Sequence, residues 1–200
     1  MKPSQSTSSP TLVLASTSPF RKEILQKLGM PFETASPNVD ESHIKGETPQ
    51  QLVSRLAEKK AKAVADKYPN ALIIGSDQVA VIDVEILGKP GTHTRAVEQL
   101  TNASGKAVHF FTGLCLYNSA TSSSQCETVP FDVVFRELTD DQIENYLQRE
   151  QPYNCAGSFK SEALGISLFE KLVGDDPNTL MGLPLIRLVR MLENEGLNIL

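Results

Sequence analysis

The stretch Leu12-Val-Leu-Ala-Ser-Thr-Ser-Pro-Phe-Arg-Lys-Glu-Ile-Leu-Gln-Lys-Leu-Gly29 decides the fold. A short apolar run, Leu12 to Ala15, passes through three hydroxyl residues into a segment with apolar side chains at Ile24, Leu25 and Leu28. That pattern reads as strand, turn and helix. Ser18 suits the N-cap, Pro19 the first helical position, and Gly29 a left-handed C-terminal cap. Arg21 and Lys22 fall in the first turn, where the helix dipole already places positive charge and Asp or Glu is the usual choice. Orphan N–H groups, hydroxyls and two cations at one helix end are what holds a phosphate. The plainer alternative is a surface helix with two solvated cations, a misfit of only about a few tenths of a kcal/mol.

Downstream, Pro31 to Ser36 allows a second short strand, and Pro37-Asn-Val-Asp-Glu41 a polar turn ending in two carboxylates that either hold a metal or face water. From Thr48-Pro49 to Lys67 the apolar residues Leu52, Val53, Leu56, Ala57, Ala61, Val64 and Ala65 keep a helical period. Lys60 falls within that stripe, so it either snorkels or points at an anion in a cleft, whereas Lys59 and Lys62 face solvent. Ala71 to Ile82 is a run of β-formers interrupted by Gly75-Ser-Asp-Gln78, which reads as a buried strand delivering Asp77 at its end. Residues 83 to 85 turn a hairpin towards Leu87-Gly-Lys-Pro90. Thr92 to Ala103 reads as a helix. Ala107 to Leu116 and Thr128 to Phe135 read as a hairpin with a long, mobile tip, Asn118 to Gln125. Thr139-Asp-Asp-Gln142 is a capping box opening a helix to about Glu150, with Ile143, Tyr146 and Leu147 buried. A Gly/Ser loop from Cys155 to Gly165 carries Lys160 and Glu162. A last strand, Ile166 to Val173, precedes a terminal helix that buries Leu185, Leu188, Val189 and Leu192.

The 200 residues are 40% hydrophobic and 22% charged, as in an ordinary soluble globular protein with a sizeable core. Residues 1–10, rich in Ser, Thr and Pro, read as a disordered leader, and residues 11–200 as one large domain or two small lobes. With no apolar run near the roughly 20 residues a membrane span needs, and a polar segment from Met1 to Thr11, a cytoplasmic protein without membrane partners is expected. A net charge of −5 argues against a partner among nucleic-acid polymers but leaves room for a local cationic pocket. Cys115, Cys126 and Cys155 are odd in number and lack C-x-x-C spacing, so free thiols are expected. His43, His93 and His109 are too scattered to suggest a metal cluster.

Ser18, Arg21, Lys22, Glu41, Lys60, Asp77 and Lys89 therefore stand out at loop or element ends. Cleaving a phosphoanhydride requires cations for the non-bridging oxygens, a carboxylate-bound divalent ion and a base that orients water. These residues could supply all three. The P-loop, the Rossmann glycine fingerprint and the Gly-x-Ser-x-Gly elbow are absent from the sequence.

Six segments in order, Leu14-Ala-Ser-Thr-Ser-Pro-Phe-Arg-Lys22, Val39-Asp-Glu41, Arg55-Leu-Ala-Glu-Lys-Lys-Ala61, Gly75-Ser-Asp-Gln78, Gly88-Lys-Pro90 and Gly182-Leu-Pro184, together resemble the Maf family of nucleotide pyrophosphatases. The resemblance runs from about Leu12 to Leu192. It implies an α/β, two-lobed fold like that of the inosine triphosphate pyrophosphatases, with a mixed sheet and a central cleft for the nucleotide. It also implies hydrolysis of a nucleoside triphosphate to the monophosphate and diphosphate with a divalent metal cation (Mg2+, Mn2+ or Co2+), often by a homodimer. Carried over by position, Asp77 matches the general base, and Ser18, Arg21, Lys60 and Lys89 the phosphate-binding residues, with Glu41 and Asp77 as the metal ligands. Phe20, Gln78 and Glu162 resemble the set of the branch acting on 7-methyl-GTP, whereas the dTTP/UTP branch carries Arg, Thr and Gln there. N7 methylation makes guanine cationic, so an aromatic face and a carboxylate suit it and an arginine does not. Phe20 stands where tryptophan is frequent in that branch, and Ala163-Leu164 replaces a more glycine-like neighbourhood before Gly165. The alternatives are the dTTP/UTP activity and a non-catalytic nucleotide-binding regulator of septum formation.

Overall fold

The computed structural model describes residues 10–200; the expected leader lies outside them except for Pro10. Strand β1, Thr11–Ala15, and helix α1, Pro19–Gln26, realise the opening unit, with Ser18 Oγ accepting from Arg21 N at 3.4 Å and Gly29 at φ 66° beyond the helix. Strand β2 is Glu33–Ala35, and helix α2, Pro49–Lys62, starts on a capping box from Thr48 and Gln51. The expected run to Lys67 breaks after Lys62 into a turn and a short 3-10 segment, Ala65–Lys67. Strand β3 is Ala71–Ile82, β4 is Glu85–Leu87, and helix α3 is His93–Ala103. Strands β5, Ala107–Asn118, and β6, Ser123–Phe135, precede helix α4, Asp140–Glu150, which carries the predicted capping box. Strand β7, Phe169–Val173, and helix α5, Leu185–Asn194, complete the chain.

The strands form one mixed sheet in the order β2-β1-β3-β5-β6-β7, with β4 also on β3. β1 lies parallel to β2 and β3, while the pairs β3–β5, β5–β6 and β6–β7 are antiparallel. One face near β1 is covered by α1 and α5, through Leu12, Leu14, Leu72, Ile74, Ile24, Leu188 and Leu192. Helix α2 covers the opposite face, packing Leu52, Val53 and Leu56 on Val79 and Val81. Further along the long strands, α3 and α4 enclose a second core around Leu100, Phe110, Phe131, Phe135, Ile143 and Leu147. Helix α2 sits close on the sheet because glycines face it. A Cβ on Gly75 would lie 2.0 Å from the Ala57 carbonyl oxygen, and one on Gly113 2.1 Å from that of Val53.

Five further expectations are corrected. β3 is not interrupted at residues 75–78 but pairs with β5 continuously from Leu72 to Val81, so Asp77 lies mid-strand rather than at its end. The hairpin tip is short, because pairing continues to Asn118↔Ser123; Glu195 beyond α5 accepts from Asn118 Nδ2 and Gln125 Nε2 and holds the polar ends. Residues 166–168 belong to a 3-10 segment, Leu164–Leu168, and the terminal helix buries Met191 where Val189 was expected. Cys115 and Cys126 are not free thiols: they face each other across β5 and β6 and form a disulfide. The 11-residue spacing gave no hint of a pair that the hairpin register creates. Cys155 is free, as expected. His93 contacts Glu144 and Tyr153, and His109 contacts Asp132. Among the described residues no helix is long and apolar enough to cross a membrane.

Candidate active site

Among the described residues, the site lies where one edge of β3 has no neighbour. β1 pairs with β3 up to Leu14↔Ile74, and β4 takes the same edge only from Ala80. Between them, residues 75–79 are paired to β5 on one side alone among the described residues. Successive side chains leave a strand on opposite faces. Gly75 and Asp77 accordingly face α2, whereas Ser76 and Gln78 face the segment that leads into α5.

On the α2 face, Lys60 is 6% exposed, and its Nζ lies 2.6 Å from Asp77 Oδ1 and 2.8 Å from Glu41 Oε1. Of the two readings of Lys60, snorkelling or pointing at an anion, the structure takes the second, and the anion is the carboxylate the strand presents. Glu41 is mostly exposed and comes from the loop after β2. Burial pushes the Asp77 carboxyl above the usual carboxylate range and outweighs the opposing pull of Lys60 and Arg21; the charge of Glu41 adds to the rise. Burial pulls the Arg21 guanidinium below its ordinary value against the attraction of Asp77 and Glu41, and the group stays charged at neutral pH.

On the other face, the Gly182 carbonyl accepts from both Arg21 Nε and Ser76 Oγ at 2.8 Å. Gln78 Nε2 lies 2.8 Å from Thr112 Oγ1 and from the Thr179 carbonyl, and 3.2 Å from that of Leu180. Thr112 Oγ1 also donates to Thr179 O at 3.1 Å. This strap is fastened at its far side by the buried Asp176, which accepts from Asn178 N and from Ile186 N, both at 2.8 Å. Sequence reasoning assigned no role to Ser76, Thr112, Thr179 or Gly182. Gly182-Leu-Pro184 was visible as a motif, but nothing local tells that its carbonyl would hold the Arg21 side chain.

A cavity of about 690 Å³ brings nine of the ten predicted site residues together: Ser18, Phe20, Arg21, Glu41, Lys60, Asp77, Gln78, Lys89 and Glu162. Lys22, the tenth, is exposed and not part of its lining. Phe20 is 39% exposed. Asn154 and Cys155 line the wall near Glu162, and burial raises the Cys155 thiol above its ordinary value. The size suits a ligand of nucleotide dimensions. Its lining combines carboxylates and cations with the Phe20 ring and the Glu162 carboxylate.

Cations, a buried carboxylate and an open strand edge define an α/β protein built to handle a phosphorylated ligand. The chain belongs to the Maf-like protein family, whose model matches residues 11–195. It is 59% identical to the 7-methyl-GTP pyrophosphatase of Nitrosococcus oceani over 96% of each chain, and 62% identical to that of Colwellia psychrerythraea over 95% of each. Among solved structures, the Staphylococcus aureus Ham1 protein is similar with a TM-score of 0.44 at 14% identity, over 62% of this chain and 71% of that one.

Proposed function

We propose that this protein hydrolyses 7-methyl-GTP to 7-methyl-GMP and diphosphate. The observation that carries the reading is that Asp77, with Lys60 and Arg21 beside it, shares one cavity with Phe20 and Glu162. Relatives bearing that activity in their names, at 59% and 62% identity, support it.

Asp77 acts as general base: it orients a water towards the α-phosphorus and takes a proton as the new P–O bond forms and the bond to the departing diphosphate breaks. Burial raises its proton affinity, which favours that role. Lys60, Arg21 and Lys89 neutralise the phosphate oxygens, and the Ser18 N-cap sets the start of α1 towards them. Arg21 is held to this task by Gly182. Phe20 stacks on the methylated base, attracted by its positive charge, and Glu162 accepts from its N1–H and N2–H.

A divalent cation fits the residues present. Glu41 and Asp77 contact the same ammonium and line the cavity, a hard-oxygen pair of the kind that holds Mg2+ or Mn2+ with substrate phosphate and water. No third His, Cys, Asp or Glu side chain joins them among the described residues. The ion would supply charge neutralisation at the phosphates. A nucleotide substrate suits an enzyme of the cytoplasm, and the family resemblance supports a homodimer. Residues 11–200 would then act as one domain, with the two cores as lobes on either side of the open edge.

The test is diphosphate release from 7-methyl-GTP, GTP, dTTP and UTP with Mg2+, Mn2+ or Co2+. The highest kcat/KM is expected for 7-methyl-GTP. Equal or better turnover of dTTP and UTP rejects the base assignment, and nucleotide binding without any release rejects the enzyme.

A further inference from the structure

Glu162 is held by a fastening of Phe159, Lys160 and Glu150, of which Lys160 and Glu150 lie outside the cavity lining. The Phe159-Lys-Ser-Glu162 segment is anchored first by Phe159, 5% exposed, whose ring packs edge-on against Phe110, Phe135 and Phe169 at centroid distances of 5.6, 5.5 and 5.0 Å. Lys160, despite its charge, turns to the end of α4, where its Nζ lies 3.0 Å from Glu150 Oε1 and 3.1 Å from the Glu150 carbonyl. The other carboxylate oxygen of Glu150, Oε2, accepts from Leu164 N at 3.2 Å. One residue thus grips the chain two positions before Glu162 and two positions after it.

The loop is closed tightly on itself. Lys160 N donates to the Tyr146 hydroxyl at 3.1 Å, and a Cβ on Gly165 would lie 2.2 Å from the Lys160 carbonyl oxygen. Ser161 and Glu162 are left at the apex, lining the cavity, with Glu162 exposed and taking a hydrogen bond from Ser161 Oγ at 3.3 Å. A carboxylate on a loose loop would have to be ordered when the base arrives, which weakens binding. A stapled loop presents it already in place.

We propose that Glu150 and Lys160 are positioning residues that hold Glu162 for recognition of the methylated base. This rests on the reading that Glu162 meets the base. Their effect falls on discrimination between bases, since neither side chain lines the cavity where the phosphates would lie.

The experiment measures kcat/KM for 7-methyl-GTP and for GTP in the wild type, Glu162→Gln, Glu150→Ala, Lys160→Met, Lys160→Arg and the double variant Glu150→Ala/Glu162→Gln. Glu162→Gln lowers the ratio by roughly tenfold or more, as expected for loss of a charged hydrogen-bond acceptor. Glu150→Ala and Lys160→Met lower it by a large part of that factor, the double variant goes no lower than Glu162→Gln, and Lys160→Arg, which still pairs with Glu150, keeps the ratio. Lys160→Met leaves the Glu150 bond to Leu164 in place and so tests the proposal should Glu150→Ala fail to fold. A ratio lowered by Glu162→Gln but unchanged in Lys160→Met and Glu150→Ala overturns the staple alone, as do additive effects in the double variant. An unchanged ratio in Glu162→Gln overturns the base reading itself and this proposal with it.

Discussion

Replacing Gly75 by alanine tests how the seating of α2 controls the site. The added Cβ would lie 2.0 Å from Ala57 O and 2.8 Å from Ala61 N, both backbone atoms that cannot swing aside, whereas ordinary contact begins near 3.4 Å. Helix α2 must therefore retreat by more than an ångström at Ala57, one turn from Lys60. Overpacking of this kind costs about 3 kcal/mol, which for a chain of this length lowers Tm by roughly 6–12 °C. Lys60 retreats with the helix, and its 2.6 Å contact with Asp77 is lengthened, so kcat/KM falls by on the order of a hundredfold for a misplacement of about 1 Å. Gly113→Ala is the comparison. It meets α2 at Val53 O, two turns from Lys60, and should lose similar stability with a smaller loss of activity. Thermal unfolding followed by circular dichroism and steady-state diphosphate release measure both quantities. A Gly75→Ala protein with wild-type Tm, or one as destabilised as Gly113→Ala and no less active, would refute the coupling.

Asp77→Asn should retain nucleotide binding by calorimetry while turnover drops by about 10²–10⁴-fold, the range for a lost general base. The native pKa of Asp77 lies above that of the unfolded chain, so the folded state binds more protons between the two values. In metal-free protein this contribution to stability is complete below the usual carboxylate range and is lost as pH rises through the raised value. Urea unfolding across pH should show that slope in the wild type and lose it in Asp77→Asn. Chelation with EDTA should stop diphosphate release and added Mg2+ restore it, and unaffected release would remove the metal from Glu41 and Asp77.

Much of this site is legible in the sequence because its residues break local rules. Cations at the start of α1 oppose the helix dipole, and Lys60 interrupts an apolar stripe. Arg21 and Lys60 are accommodated because a carboxylate and a cavity await them, whereas Lys22 stays exposed to solvent. The Thr139 capping box set the start of α4 to the residue for the same local reason. The Cys115–Cys126 pair, the Gly182 carbonyl under Arg21 and the Glu150 grip on Lys160 depend on register or on contacts far apart in sequence, 161 residues in the case of Arg21 and Gly182. No periodicity encodes such partners.

The misreading of β3 as an interrupted strand explains why the site is where it is. Residues 75–78 looked like a break because Gly, Ser, Asp and Gln are poor strand formers. They remain a strand because β5 pairs with them throughout. Among the described residues the opposite edge is vacant between the end of β1 and the start of β4, and there Asp77 and Gln78 line the cavity instead of a packed core. At a vacant edge both faces of one strand are reachable from a single cavity, so adjacent residues can be given different work. Asp77 turns to Lys60 on α2, and Gln78 turns to the strap whose Gly182 carbonyl holds the Arg21 side chain. An uninterrupted sheet would have separated those two faces by its full thickness. The polar tetrapeptide is therefore a property of topology, and it allows one strand to join the reacting end of the cavity to the segment that holds Arg21.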